Sequence, residues 1–130
     1  MPNSYVYFAF QGDDFDPSVI TTELGINPSD SWKKGESGKY IQQQKISYWK
    51  LSSTIDELLD IDKLIHEVVS QLSEKIDQIN NLKNALTLKT VLEIVIYVDI
   101  NEEKSTPFLG HNLEIIEFLH RTRTNTDVDI

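Results

Sequence analysis

Alternating apolar and polar positions predict several strands along the chain. The clearest are residues 5–10 (YVYFAF), 45–52 (KISYWKLS) and 91–98 (VLEIVIYV), which are rich in aromatic and β-branched residues. The closing residues 127–130 (DVDI) alternate in the same way and predict an edge strand, and a further short edge strand is expected around Trp32. Alternation places three sets of residues on shared faces of the long strands: Val6, Phe8 and Phe10; Ser47, Trp49 and Leu51; and Leu92, Ile94, Ile96 and Val98.

Capping residues predict a short first helix. Asp16 is an N-cap acceptor followed by Pro17, whose missing amide proton suits the first helical turn. The helix is expected to run to about Leu24, where Gly25 can adopt the left-handed conformation that ends a helix. The apolar residues expected to form its buried stripe are Val19, Ile20 and Leu24.

A long amphipathic helix is predicted after the strand at 45–52. Its start has two alternatives, because residues 54–57 (TIDE) match a capping box, whereas Asp60 or Asp62 could cap a later start. The pattern allows a break near residues 80–81 and a continuation to about Leu86. Apolar residues recur at three- and four-residue steps: Leu58, Ile61, Ile65, Val68, Leu72, Ile76 and Ile79.

The order of elements predicts the fold class. A last helix, capped by Asn112 and burying Leu113, Ile116 and Leu119, completes the order β-α-(β)-β-α-β-α-β. Interleaved helices and strands in so short a chain indicate an α+β, two-layer sandwich with a mixed or antiparallel sheet and helices on one face. The first six elements match the ferredoxin-like β-α-β-β-α-β core, to which an extra helix and strand are appended. We expect residues 1–130 to form a single α+β domain.

Composition restricts the class of protein more than its function. With 39% hydrophobic and 25% charged residues, the chain is typical of a soluble globular protein. Its longest apolar run, residues 91–98, is far shorter than the roughly 18–20 residues that cross a bilayer. There is no cysteine, and the first residues lack the pattern of a signal peptide. A cytoplasmic location and no membrane partner are therefore expected.

Charge is distributed unevenly along the chain. The formal net charge is -9, with 21 acidic against 12 basic residues. Such a surface repels phosphate backbones, so we expect no nucleic acid as a partner. Residues 31–50 nevertheless hold five lysines against one acid, a local charge of +4 that leaves -13 for the rest. An acidic body with one basic segment favours a basic protein partner.

The segment 31–40 (SWKKGESGKY) raises the question of a phosphate-binding loop. A Walker loop needs two glycines separated by four residues, then Lys and Ser or Thr, leading into a helix. Here Gly35 and Gly38 are separated by two residues, Tyr40 follows the lysine, and the next residues are strand-like, so this motif is excluded. The segment is then either a solvated surface loop or a contact site for an anionic partner or ligand. The candidate contact residues are Trp32, Lys33, Lys34, Gly35, Lys39 and His111, the last because it follows a glycine in a loop.

No other motif predicts catalysis or metal binding. Asp13, Asp14 and Asp16 cluster in one turn, but their spacing does not match the calcium loop and Asp16 already has a capping role. The three histidines lack metal-binding spacing, and there is no G-x-S-x-G sequence around a serine. We expect no catalytic residue, no cofactor and no metal ligand.

One stretch resembles a known family. Within residues 20–36 (ITTELGINPSDSWKKGE), the order LGI, Pro28, SW and KGE resembles the bacterial domain-of-unknown-function family 4279. The resemblance continues through YWKL at 48–51, the strand at 91–98 and the closing DVDI. Two departures occur: HRTRTNT stands where the family often has a glycine, and the aromatic residue after the final Asp-Ile pair is missing. The resemblance implies a small cytoplasmic α+β domain and carries over no active site.

Three functional hypotheses follow. The leading one is a non-enzymatic protein-binding module, with a narrower interpretation as an immunity- or antitoxin-like protein that neutralises a basic effector. The second is a small-ligand-binding or uncharacterised enzyme domain, whose site would lie near the 31–40 loop where Trp32 and His111 converge. The third is an accessory subunit or a homodimer formed through a free strand edge such as residues 127–130.

Overall fold

The computed structural model describes residues 4–36, 45–53, 61–96 and 112–129. The predicted helix start at 54–60 and the predicted contact residues Lys39 and His111 lie outside these ranges, as do positions 97–98 and 130 of the predicted strands. The elements, in chain order, are β1 (Tyr5–Gly12), α1 (Pro17–Leu24), β2 (Asp30–Trp32), β3 (Ser47–Ser52), α2 (Ile61–Leu72), α3 (Ile76–Leu86), β4 (Lys89–Val95), α4 (Leu113–Thr122) and β5 (Asn125–Asp129).

The five strands form one mixed sheet in the order β2-β3-β1-β4-β5. β3 pairs antiparallel with both β1 and β2, so it lies between two strands that run in the same direction. β1 in turn lies antiparallel between β3 and β4. The chain thus forms two β-α-β units, β1-α1-β2 and β3-α2-α3-β4, and one strand of each unit lies between the two strands of the other. This arrangement confirms the predicted ferredoxin-like core. β5 extends it, because α4 returns the chain to pair parallel with β4.

The hydrophobic core lies between the sheet and the helices. Phe8 of β1 packs edge-to-face on Phe118 of α4, with ring centroids 5.9 Å apart. Trp49 of β3 is fully buried and donates a hydrogen bond from its Nε1 to Oγ1 of Thr21 in α1, at 3.1 Å. The predicted two-layer α+β sandwich is therefore confirmed. The largest fully buried side chains of the core are Trp49, Phe8, Phe10, Ile20, Leu24, Leu64, Leu72, Ile79, Leu92, Ile96, Val6 and Val68.

Several helix ends follow the predicted capping chemistry. Oδ1 of Asp16 accepts hydrogen bonds from the amide and the hydroxyl of Ser18, which lower the pKa of Asp16 below its ordinary value. Gly25 ends α1 with φ of 68°, a conformation that glycine adopts without a side-chain clash. Oδ1 of Asn112 accepts from the amide of Ile115 and caps α4.

The predicted position of the helix break was wrong. The long helix divides at residues 73–75, where the amide of Lys75 donates to the carbonyl of Leu72 and a turn separates α2 from α3. Residues 80–81 lie inside α3 instead. Asn80 is held there because its Nδ2 donates to the carbonyl of Arg121 at 3.0 Å, a tertiary contact that outweighs the modest helix propensity of asparagine.

Two predicted buried stripes were also wrong in part. Val19 of α1 is exposed, and Pro17 takes its place in the buried face. In α4, Leu113 is 83% exposed and Ile116 is 48% exposed. Apolar residues occur on both sides of this helix, so spacing alone did not decide which side packs against the sheet. The side that does so holds Ile115, Phe118, Leu119 and Thr122.

Candidate functional site

The sheet face opposite the four described helices, the helix-free face, gathers most of the chemically distinctive side chains. Its members follow from strand alternation, and the strand register aligns them into rows that cross the sheet. The rows are Trp32–Tyr48–Gln11–Lys89, Asp30–Lys50–Ala9–Val91–Asn125, Ser52–Tyr7–Glu93–Asp127 and Tyr5–Val95–Asp129. Aromatic rings thus occupy the side formed by β1, β2 and β3, which also holds Asp30 and Lys50, and the other carboxylates lie on β4 and β5.

The aromatic side is built from two stacked pairs. Trp32 and Tyr48 stack with centroids 4.7 Å apart and planes 12° from parallel, and Tyr5 and Tyr7 stack at 6.3 Å. The hydroxyl of Tyr48 accepts from Nε2 of Gln11 at 3.1 Å. Burial, a hydrogen bond with Tyr48 and nearby charge raise the pKa of Tyr7 above its ordinary value, so this phenol stays protonated. The two pairs place four aromatic rings on this side of the face, of which Tyr48 is buried.

Lys50 shows that this surface accommodates a cation. Its Nζ lies 4.2 Å from the ring centroid of Tyr7 and 5.8 Å from that of Tyr5. Both distances fall within the range over which an ammonium is attracted to the negative face of an aromatic ring. The half-buried lysine therefore rests on the tyrosine rings, next to the carboxylate side of the face.

The carboxylate side centres on Glu93 of β4. Desolvation, a hydrogen bond with Asp127 and the charges of Asp127 and Asp129 raise the pKa of Glu93 to about 7, and only Lys50 acts in the opposite direction. Asp127 and Asp129, both on β5, are exposed. The three carboxyl groups thus concentrate negative charge at this edge of the sheet, and near pH 7 the carboxyl of Glu93 is partly protonated.

Replacing Glu93 with glutamine is expected to make stability less dependent on pH. A glutamate in the unfolded chain ionises near 4.5, whereas Glu93 in the folded chain stays protonated to about 7. The folded state therefore loses stability as pH rises between these values, and below 4.5 the effect vanishes. The pKa difference corresponds to about 3 kcal/mol, and solvent screening reduces it to about 1 kcal/mol. Urea unfolding should show Glu93→Gln equal to wild type at pH 4 and about 1 kcal/mol more stable at pH 8.

The exposed helix residue Glu114 offers a matched control. Glu114→Gln removes the same charge and should leave the difference between pH 4 and pH 8 as in wild type. A loss of stability in Glu93→Gln at pH 8 would contradict the interpretation, because it would mean that the ionised carboxylate stabilises the folded state.

The predicted contact residues near residue 31 are only partly brought together. Trp32 and Lys33 line a cleft of about 350 Å³ between α1 and β2, the α1–β2 cleft, together with Glu36, Asp16 and residues of α1. Lys34 lies apart from it, because its Nζ pairs with Oδ1 of Asp13 at 3.4 Å on the surface. Gly35 forms a turn with φ of 93°.

The sequence predicted no metal ligand, and the acidic turn and two of the histidines can be located in the described structure. Within these ranges, no three His, Cys, Asp or Glu side chains come together in an arrangement that could hold a metal ion. Asp16 caps α1 and Asp13 pairs with Lys34, so two of the three aspartates of this turn have structural partners. His66 and His120 are exposed on different helices.

Sequence reasoning missed the helix-free face as a site. The alternation in 5–10 did place Tyr5 and Tyr7 on one face, but it assigned that face no role. A signal was present, because tyrosines, a lysine and a glutamate occupy the non-core positions of three predicted strands. Only the strand order, however, brings Glu93 beside Tyr7 and Asp127 beside Glu93.

No described helix combines the length and apolar character that a bilayer crossing requires.

Comparison with known proteins identifies the family of the chain. Neither the curated proteins nor the solved structures contain a significant match. The family model described as Domain of unknown function (DUF4279) matches residues 2–130. This range includes the LGI, SW and KGE segments and the closing strand. The chain therefore belongs to the family Domain of unknown function (DUF4279).

Proposed function

We propose that the protein is a non-enzymatic protein-binding module that takes a basic segment of a partner on its helix-free face. The observation that carries this proposal is the arrangement of aromatic rings and carboxylates side by side on one face of the sheet. Tyr5 and Tyr7 lie on β1, Glu93 lies on the adjacent β4, and Asp127 and Asp129 lie on β5.

Such a face suits lysine and arginine side chains for two reasons. Aromatic rings attract cations through their negative faces, and carboxylates form charge-assisted hydrogen bonds with them. Lys50 already uses the rings of Tyr5 and Tyr7 in this way. A partner cation placed further along the same rows would reach the exposed carboxylates of Asp127 and Asp129. Its charge would also favour ionisation of Glu93, which adds to the attraction.

Charge distribution favours a basic partner over a second copy of the chain. The helix-free face carries four carboxyl groups, on Asp30, Glu93, Asp127 and Asp129, against the ammonium groups of Lys50 and Lys89. Antiparallel pairing of β5 with another β5 would bring like charges together across the new edge. The proposed homodimer through this strand is therefore the weaker alternative. A net charge of -9 further accelerates encounter with a basic protein.

The narrower form of the proposal is an immunity- or antitoxin-like role in the cytoplasm, in which binding blocks a basic effector. The acidity of the whole chain and the concentration of carboxylates on one face support it. It requires that the partner's own active surface be basic, so that covering its cations abolishes its action.

The proposal is tested with two double variants that lose the same number of carboxylates, and so have the same net charge, but lose them from different surfaces. Asp127→Asn with Asp129→Asn removes two carboxylates from the face, whereas Glu23→Gln with Glu114→Gln removes two exposed carboxylates from helices. Binding of a short peptide of alternating arginine and apolar residues is measured by calorimetry at one fixed salt concentration. The variant Asp127→Asn/Asp129→Asn should bind the peptide roughly tenfold more weakly than wild type, because two ion pairs are lost.

The helix variant serves as the control and should bind within about twofold of wild type, because only long-range attraction is lost. A peptide with glutamine in place of arginine should bind neither variant nor wild type. Equal weakening in both double variants would contradict the proposal, since it would show attraction to net charge rather than to this face.

A second candidate function is small-ligand binding in the α1–β2 cleft, which is favoured by the hydroxyl-bearing side chains of its lining, among them Ser18, Thr21 and Ser31. The cleft volume of about 350 Å³ lies at the lower end of the range for ligand pockets, about 300–1,000 Å³. A ligand held there would bind independently of Asp127 and Asp129, so the double variant above separates the two functions.

A further inference from the structure

A second cleft, of about 620 Å³, lies where α3 begins, α4 ends and β5 starts. We name it the arginine cleft, because His120, Arg121 and Arg123 line it and Asp77 is the only acidic residue among the described residues of its lining. The chain has a net charge of -9, so three basic side chains around one concave surface depart from the general character of the molecule. The remaining lining residues are Ile76, Asn80, Leu119, Thr124 and Asn125.

None of the described hydrogen bonds that cap the end of α4 comes from a basic side chain of the cleft. A helix C-terminus leaves carbonyl groups that need donors, and basic residues often supply them. Here α3 supplies them instead: Nδ2 of Asn80 donates to the carbonyl of Arg121 at 3.0 Å. Nζ of Lys83 donates to the carbonyls of Thr122 and Arg123, at 2.6 and 3.0 Å. The guanidinium groups therefore project from a helix end that is already capped.

Arg123 occupies a backbone conformation that does not favour arginine. Its φ is 52°, in the left-handed region, where glycine has no side-chain clash. The residue closes α4 through its backbone amide, which donates to the carbonyl of His120. Glycine would make this backbone bond equally well with less strain. The side chain, rather than the backbone, is thus the feature that arginine adds at this position.

The charges of the cleft reinforce one another. Burial and the nearby charge of Arg123 lower the pKa of Lys83, so a second cation lies close to Arg123 at the end of α4. Arg121 has one described ion pair, with Glu117 at 3.8 Å, and both side chains are more than half exposed. Such a surface pair is weak, so the guanidinium can turn to another anion.

We propose that the arginine cleft binds the phosphate group of a small phosphorylated molecule. Guanidinium groups match phosphate with two parallel hydrogen bonds, and both Arg121 and Arg123 line the cleft. Asn80 and Asn125 offer further polar contacts, and the side chains of Ile76 and Leu119 offer an apolar surface to the rest of the ligand. The volume suits a ligand of nucleotide size. This site is separate from the helix-free face and does not depend on the function proposed above.

The experiment uses inorganic phosphate and adenosine 5′-monophosphate as probes, with amide chemical shifts recorded on the whole chain. Shifts are expected for residues 76–80 and 119–125, with chloride at equal ionic strength giving none. Arg121→Gln with Arg123→Gly should weaken binding of both probes at least tenfold. Lys45→Gln, which removes an exposed lysine beside β3, should bind as wild type does.

Stability and binding should change in opposite directions in Arg123→Gly alone. Its melting temperature should equal or exceed that of wild type, because the left-handed strain is relieved, while phosphate binding falls severalfold. The proposal is overturned if phosphate shifts the same residues equally in the double variant, if the shifts lie elsewhere, or if chloride reproduces them. The proposal is also overturned if adenosine 5′-monophosphate binds and inorganic phosphate does not, since the phosphate group would then not hold the ligand in place.

Discussion

Replacement of Trp49 with alanine is expected to destabilise the fold by about 3–5 kcal/mol. The indole is completely buried and packs edge-to-face on Phe10, with centroids 5.5 Å apart and planes at 77°. Its Nε1 also donates to Oγ1 of Thr21, so the side chain joins α1 to the centre of the sheet. Alanine would leave a cavity, remove the aromatic pair with Phe10 and leave the Thr21 hydroxyl without its indole donor. Urea unfolding followed by circular dichroism measures the loss as a lower midpoint at an unchanged slope.

Two further variants divide this effect into its parts. Trp49→Phe keeps most of the ring volume and should cost less than half as much as alanine. Thr21→Val removes only the acceptor of the indole hydrogen bond and should cost about 1–3 kcal/mol. If Trp49→Ala unfolded at the same urea concentration as wild type, the indole would not be the link between α1 and the sheet.

Replacement of Ser47 with alanine is expected to cost about 2–3 kcal/mol, the second largest effect. Oγ of this fully buried serine accepts from the amide of Phe15 at 3.0 Å and from the amide of Lys34 at 2.9 Å. The two amides belong to the loops before α1 and after β2. Alanine would leave both donors without that acceptor, and an unpaired buried amide is costly.

Amide hydrogen exchange should locate the loss. Exchange at Phe15 and Lys34 should accelerate in Ser47→Ala well beyond the change at other amides of the sheet. Ser31→Ala, at an exposed position in β2, should change the free energy of unfolding by no more than about 0.5 kcal/mol. Equal exchange at both amides in wild type and Ser47→Ala would contradict the role assigned to the hydroxyl.

These two residues also show what the sequence could predict. The alternation at 45–52 placed Trp49 and Leu51 on one face and favoured a core position for the tryptophan, because strand periodicity is a local property. The same pattern put Ser47 on that face but could not show its two acceptor roles. Those depend on which distant loops pass nearby, which only the folded chain determines.

The site was less predictable than the fold for the same reason. Residue types on each strand follow from alternation, so the separation of tyrosines from phenylalanines in β1 was predicted correctly. That Tyr7 lies beside Glu93 depends on strand order and register. That Lys83 lies beside Arg123 depends on how α3 packs against α4. The helix break was misplaced because Asn80 is stabilised in α3 by a partner 41 residues away.

The pairing of β5 with β4 has a consequence for proton release. Asp127 and Asp129 lie on β5, and both raise the pKa of Glu93 on β4. If β5 separates from the sheet, those two influences disappear and Glu93 reverts toward the acidity of an ordinary glutamate. Detachment of the last strand near neutral pH would then liberate a fraction of a proton into solution. A pH-indicator dye in weakly buffered solution would register that opening directly.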